Sequence, residues 1–109
     1  MARLVTRFWV DAYLRRLNLE CIPAYVVRHG DDTAGAVLVK LSPLDGSATL
    51  FCRRFSIEAD KRVWDVLLEG DEGDVDAAVA RQVRFDPDVW VIEVEDRAGR
   101  HLLDQDGLG

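Results

Sequence analysis

Serine, histidine and cysteine are all scarce in this 109-residue chain, and each shortage removes a class of explanation. The three serines, Ser42, Ser47 and Ser56, lie in no nucleophile-elbow pattern, which argues against a serine hydrolase. The two cysteines, Cys21 and Cys52, each sit in an apolar run and read as buried thiols of a reducing compartment; a bridge between them is expected only if the chain is exported. No CxxC or HxxxH pair joins them to His29 and His101, so no metal site is indicated. Neither the Rossmann nor the Walker fingerprint occurs, and no cofactor is implied. Long apolar runs are missing too. Arg7 and Asp11 interrupt the N-terminal stretch before it reaches the length of an export segment, and no other run approaches a membrane span. The expectation is a cytoplasmic protein with no membrane partner.

What is present is an ordinary globular composition, 49% hydrophobic, of a size typical for one domain. A chain of this length buries roughly two thirds of its unfolded surface and needs no staple. The net charge is −6, unevenly divided: residues 1–56 carry +3 and residues 57–109 carry −9. Overall acidity argues against nucleic acid as the main partner. Opposed halves favour association of positive face with negative face, in a second copy or another protein.

Along the chain, Arg3 to Leu19 contains no Gly or Pro, and Arg3, Arg7, Asp11 and Arg15 form one ridge of a helix. Its apolar arc, Val5, Phe8, Trp9, Val10, Ala12, Tyr13 and Leu17, is wider than one sheet face requires. Beyond Pro23 the runs become short and β-rich. Ala24–Arg28 and Ala36–Leu41 read as a hairpin about His29–Thr33, then Thr49–Phe55 and Lys61–Leu68 as two more antiparallel strands, with Trp64, Val66 and Leu68 on one face. Gly70 to Gly73 reads as a helix-capping turn. A second helix over Asp74–Arg84 presents Val75, Ala78, Val79 and Val83, acidic at its start and basic at its end. Val89–Glu95 forms a further strand, and His101–Leu103 a short partner to it. The predicted fold is a single α+β domain over 1–109, a mainly antiparallel sheet of five to six strands with two helices, in the order α-β-β-β-β-α-β-β.

Four features invite a functional reading. His29 with Asp31 and Asp32 could form a small acid–base centre, although the segment has hairpin-loop composition. Arg53, Arg54, Lys61 and Arg62 could bind an anion or RNA, with Phe55 or Trp64 for stacking; the competing reading is neutralisation of the acidic half. Asp104–Gly107 echoes a calcium loop without its downstream Glu and is set aside. The corner Arg81, Arg84, Asp86, Pro87, Asp88 and Trp90 is rigid and chemically varied, suited either to locking the fold or to contact. Together with Phe8, Trp9 and Tyr13 of the first helix, these residues are the candidate interaction surface.

Arg84 through Asp96, with Arg53-Arg54-Phe55 upstream and Gly99-Arg100-His101 downstream, resembles a small alphaproteobacterial family of unknown function across essentially the whole chain. The resemblance implies a bacterial protein of about this size and carries over no activity, ligand or catalytic residue. The leading expectation is a non-enzymatic interaction domain, most simply a homodimer.

Overall fold

Helix α1, Thr6–Leu19, starts without a side-chain cap at Val5. Its first free amides bond backbone instead, Thr6 N–H to the Thr33 carbonyl at 3.1 Å and Arg7 N–H to Asp32 at 2.8 Å. The helix ends with Cys21 in the left-handed region, φ 59°. There Ile22 N–H reaches the Leu17 carbonyl and Cys21 N–H that of Asn18, the paired bonds of a Schellman ending, and Ile22 packs in the same core as Leu17. Cys21 is therefore exposed at a turn and Cys52 half-buried; neither is the fully buried thiol expected.

The remaining elements are β1 (Ala24–Arg28), β2 (Val37–Ser42), β3 (Ser47–Ser56), β4 (Lys61–Asp71), α2 (Glu72–Phe85) and β5 (Trp90–Glu95). The computed structural model describes residues 5–56, 58, 61–105 and 108, and of 54–56 and 61 only the backbone. The sheet order is β1-β5-β2-β3-β4, with β2 and β5 parallel and every other pair antiparallel. This is an α+β fold with a mostly antiparallel sheet.

Four expectations are corrected. β1 and β2 do not form a hairpin, because β5 returns through α2 and inserts between them, pairing Val26 with Ile92 on one side and Val39 with Ile92 on the other. The 29–36 segment spans that inserted strand and is pinned to its start. Trp90 Nε1–H donates to the Asp31 carbonyl at 2.8 Å, and Asp31 N–H to that of Asp88 at 2.9 Å. A Cβ on Gly30 would sit 2.2 Å from the Asp88 oxygen, so only glycine fits that close approach. Second, His101–Leu103 forms no strand; it is a turn-containing segment whose Leu102 and Leu103 enter the core. Third, a register shift between Leu50/Leu68 and Phe51/Val66 puts Trp64 on the α1 side of the sheet and Leu68 on the α2 side. The expected capping turn at Gly70–Gly73 is also shorter than read: β4 runs to Asp71 and α2 begins at Glu72, whose N–H bonds the Gly46 carbonyl at 2.9 Å.

The helices cover opposite faces. On one, α1 supplies Trp9, Val10, Tyr13 and Leu17 against Val37, Val39, Leu41, Trp90, Ile92 and Val94. On the other, Val75 and Ala78 of α2 meet Leu38, Leu50, Val89 and Val91. Burying a side chain of this type contributes roughly 1.5–3 kcal/mol, so these two clusters dominate folding. No described helix is long and apolar enough to cross a membrane.

Candidate functional site

Lys40 and Arg53 lie against opposite faces of the sheet, and their surroundings differ in kind. On the α2 side, Lys40 of β2 is only 5% exposed. Its ammonium lies 2.7 Å from Asp76, 2.9 Å from Glu72 and 3.8 Å from Glu93. Burial draws its pKa down, but the hydrogen bonds to Asp76 and Glu72 and the charges of Glu93 and Asp76 outweigh that, leaving it above its ordinary value. The cluster is self-satisfied and ties the first turn of α2 to the central strands.

On the α1 side, alternation along β3 and β4 brings Arg53 opposite Trp64. The Arg53 guanidinium carbon stands 5.0 Å from the Trp9 ring centre and 5.7 Å from that of Trp64. The indoles themselves are 5.4 Å apart, and Trp9 stacks on Tyr13 at 5.0 Å. Trp64 Nε1–H donates to the Leu108 carbonyl and Tyr13 OH to that of His101, each at 2.8 Å, so His101 and Leu108 are both tied to this cluster. Burial, helped by the nearby Arg62, pulls the Arg53 pKa down to about 10. Burial alone pushes the Tyr13 phenol up. Among the described residues no carboxylate pairs with Arg53 or Arg62.

The acid–base candidate exists as a contact: His29 Nε2 lies 2.6 Å from Asp32 Oδ1, with Arg7 3.7 Å from the same oxygen and the His29 ring 4.0 Å from that of Trp90. Both side chains of the pair are about half exposed. Asp31 is turned away, accepting from Thr33 and Ala34 N–H within its own loop. The pair fastens the loop to α1. No group of three His, Cys, Asp or Glu suited to a metal ion occurs among the described residues.

The other candidates separate. Trp9, Tyr13 and Trp90 are core side chains and offer no contact surface of their own; of the arc on the first helix, Trp9, Val10, Tyr13 and Leu17 are buried, while Val5 and Phe8 stay exposed. Phe8 is exposed, as are Arg81, Arg84 and Asp88, while Asp86 is half-buried and accepts the Asp88 N–H at 3.1 Å. The side chains of Arg54, Phe55 and Lys61, and the Asp104–Gly107 calcium-loop echo at 106–107, lie outside the described residues. Sequence reasoning missed the open edge of the sheet. There Tyr25, Val26 and Val27 are 54%, 41% and 59% exposed. Three successive apolar residues in a strand without alternation were the available signal.

A family model described as a protein of unknown function, DUF1491, matches residues 4–104. The chain belongs to this family. A crystal structure of a DUF1491 protein from Caulobacter crescentus CB15 is 43% identical, with a TM-score of 0.85 over 94% of this chain and 96% of that one. An NMR structure of a DUF1491 protein from the same organism is 42% identical at TM-score 0.82, covering 95% and 96%. A solution structure from A. tumefaciens is 30% identical at TM-score 0.73, covering 86% of each chain. These DUF1491 relatives are alphaproteobacterial, which agrees with the resemblance carried by Arg84–Asp96. No curated protein matches the chain significantly.

Proposed function

We propose that this DUF1491 protein is a single, non-enzymatic interaction domain that forms a homodimer by pairing β1 edges. The observation that carries the reading is the exposed apolar triplet Tyr25-Val26-Val27 on an edge strand. An edge presents unpaired backbone groups to any second strand, and soluble proteins ordinarily blunt it with charge. β1 has one charged residue, Arg28, at its end.

A two-fold pairing centred on Val26 is self-compatible. Val26 meets Val26 of the second copy, Tyr25 meets Val27, and Arg28 meets Ala24, so no like charges face each other. Tyr25 lies opposite Glu93, whose carboxylate turns toward Lys40, and its ring is therefore on the α2 side. α2 packs over β2, β3 and β4 and leaves that part of the sheet bare. Arg28 ties the corner after α2 to β1 by donating to the Pro87 carbonyl at 2.8 Å. Two cysteines in 109 residues fit a reducing, cytosolic setting.

Light scattering across a micromolar concentration series tests this. The expected mass is twice 12.3 kDa, returning to 12.3 kDa in Val26→Lys. A mass of 12.3 kDa for the unaltered protein throughout that range would remove the proposal.

A further inference from the structure

We propose that Arg53 and Arg62, backed by Trp9 and Trp64 on the α1 face of the sheet, form a binding site for a doubly charged oxyanion such as a phosphate or phosphomonoester. The argument starts from Trp9. Its ring is 3% exposed, and its buried Nε1–H has no hydrogen-bond partner. A buried donor without an acceptor is costly and uncommon in folded proteins, and a ligand position beside it is one of its few physical explanations. Trp64, beside it, has its own Nε1–H satisfied by Leu108, so the unmet donor is specific to one indole of the pair.

The ring bearing that N–H is the one the Arg53 guanidinium covers at 5.0 Å. The aromatic bracket holds the guanidinium in place and offers it no anion. Arg62 lies two residues from Trp64 along β4, on the same face of the sheet, so a second guanidinium shares the site; the lowered Arg53 pKa, due first to burial and then to Arg62, agrees with that placement. Two mutually repelling guanidinium groups suit a dianion, and their planar forks match phosphate oxygens better than a point charge would. Arg53 and Arg62 are both half-buried, which leaves a solvent approach to the pair. Lys40 is the internal contrast: it is more deeply buried than Arg53, but it is surrounded by carboxylates and has nothing left to bind.

Tryptophan fluorescence of the intact chain, titrated with inorganic phosphate at low ionic strength, tests the site because two of its three tryptophans flank Arg53. The expected result is a saturable change with phosphate, absent with chloride at matched ionic strength and at least tenfold weaker with acetate. Arg53→Gln should abolish saturation and Arg62→Gln weaken it severalfold. Circular dichroism confirms that each variant is folded; if Arg53→Gln is not, Arg62→Gln and Arg53→Lys give the same readout. Trp9→Phe removes the orphan N–H while keeping a ring under Arg53, and should weaken phosphate severalfold without loss of the fold. An unsaturable response, an equal response to acetate, or unchanged phosphate affinity in the Arg53 and Arg62 variants would overturn the proposal. None of these outcomes depends on whether the protein dimerises.

Discussion

The two edges of the sheet are built to opposite specifications. β4 is eleven residues long and carries Arg62, Asp65, Glu69 and Asp71 at intervals, with an irregular register midway. Such charges and bulges make an edge hard to extend. β1 is five residues long, charged only at Arg28, and exposes three apolar residues in succession. It also has a register shift, between Val26 and Arg28, but no charge guards its centre. Val66 and Leu67 of β4 are exposed as well, yet they lie between Asp65 and Glu69 with charge on both sides, whereas β1 has a charge, Arg28, on one side alone. The contrast teaches that exposed apolar area matters less than whether charge interrupts it.

Substitutions at the centre of the sheet and at its two edges should differ in effect in a definite order. The largest effect is expected at the centre of the sheet, not at an edge. Glu72→Gln with Asp76→Asn strips Lys40 of its two nearest carboxylates and leaves a buried charge, which should lower unfolding stability in urea by about 3 kcal/mol. Edge behaviour, read by light scattering under native conditions, should be unaltered. Lys40→Met should cost clearly less than that double change, because it removes the charge along with its need for partners.

Next in size, Val26→Lys places two positive charges face to face across the proposed two-fold and should raise the dimer dissociation constant about 100-fold, equivalent to ~2.7 kcal/mol. Tyr25→Ala removes an aromatic–β-branched pair twice over, once on each side of the two-fold. Sedimentation equilibrium should register about a tenfold loss, since each such pair contributes roughly 0.2–1 kcal/mol. The smallest effect belongs to the guarded edge: Leu67→Lys should leave oligomeric state unchanged and stability within about 0.5 kcal/mol. If Leu67→Lys dissociated the dimer and Val26→Lys did not, the assignment of the two edges would be reversed.

Both helices and the β2-β3-β4 meander were legible because each depends on local periodicity or short turns. The insertion of β5 was not, since a strand pairing with partners distant in the chain leaves no turn signal. Its trace was compositional: Val89, Trp90, Val91 and Ile92 are apolar at both parities, as a strand covered on two faces must be, and Val37, Leu38 and Val39 repeat the pattern. The Val66/Leu68 irregularity had no sequence mark and reversed the side of Leu68. The candidate sites divide similarly. Arg53 and Trp64 were visible as chemistry, but their meeting with Trp9 depends on α1 lying across β3 and β4. The Lys40 cluster joins residues from β2, α2 and β5, and only the three-dimensional fold brings them together.

Hydrogen exchange followed at increasing protein concentration addresses the edge asymmetry most directly. Pairing through β1 predicts that amides within Ala24–Arg28 become more protected as concentration rises, while those along the outer edge of β4 exchange at a constant rate. Concentration-independent exchange at β1, or protection appearing at β4 instead, would contradict it.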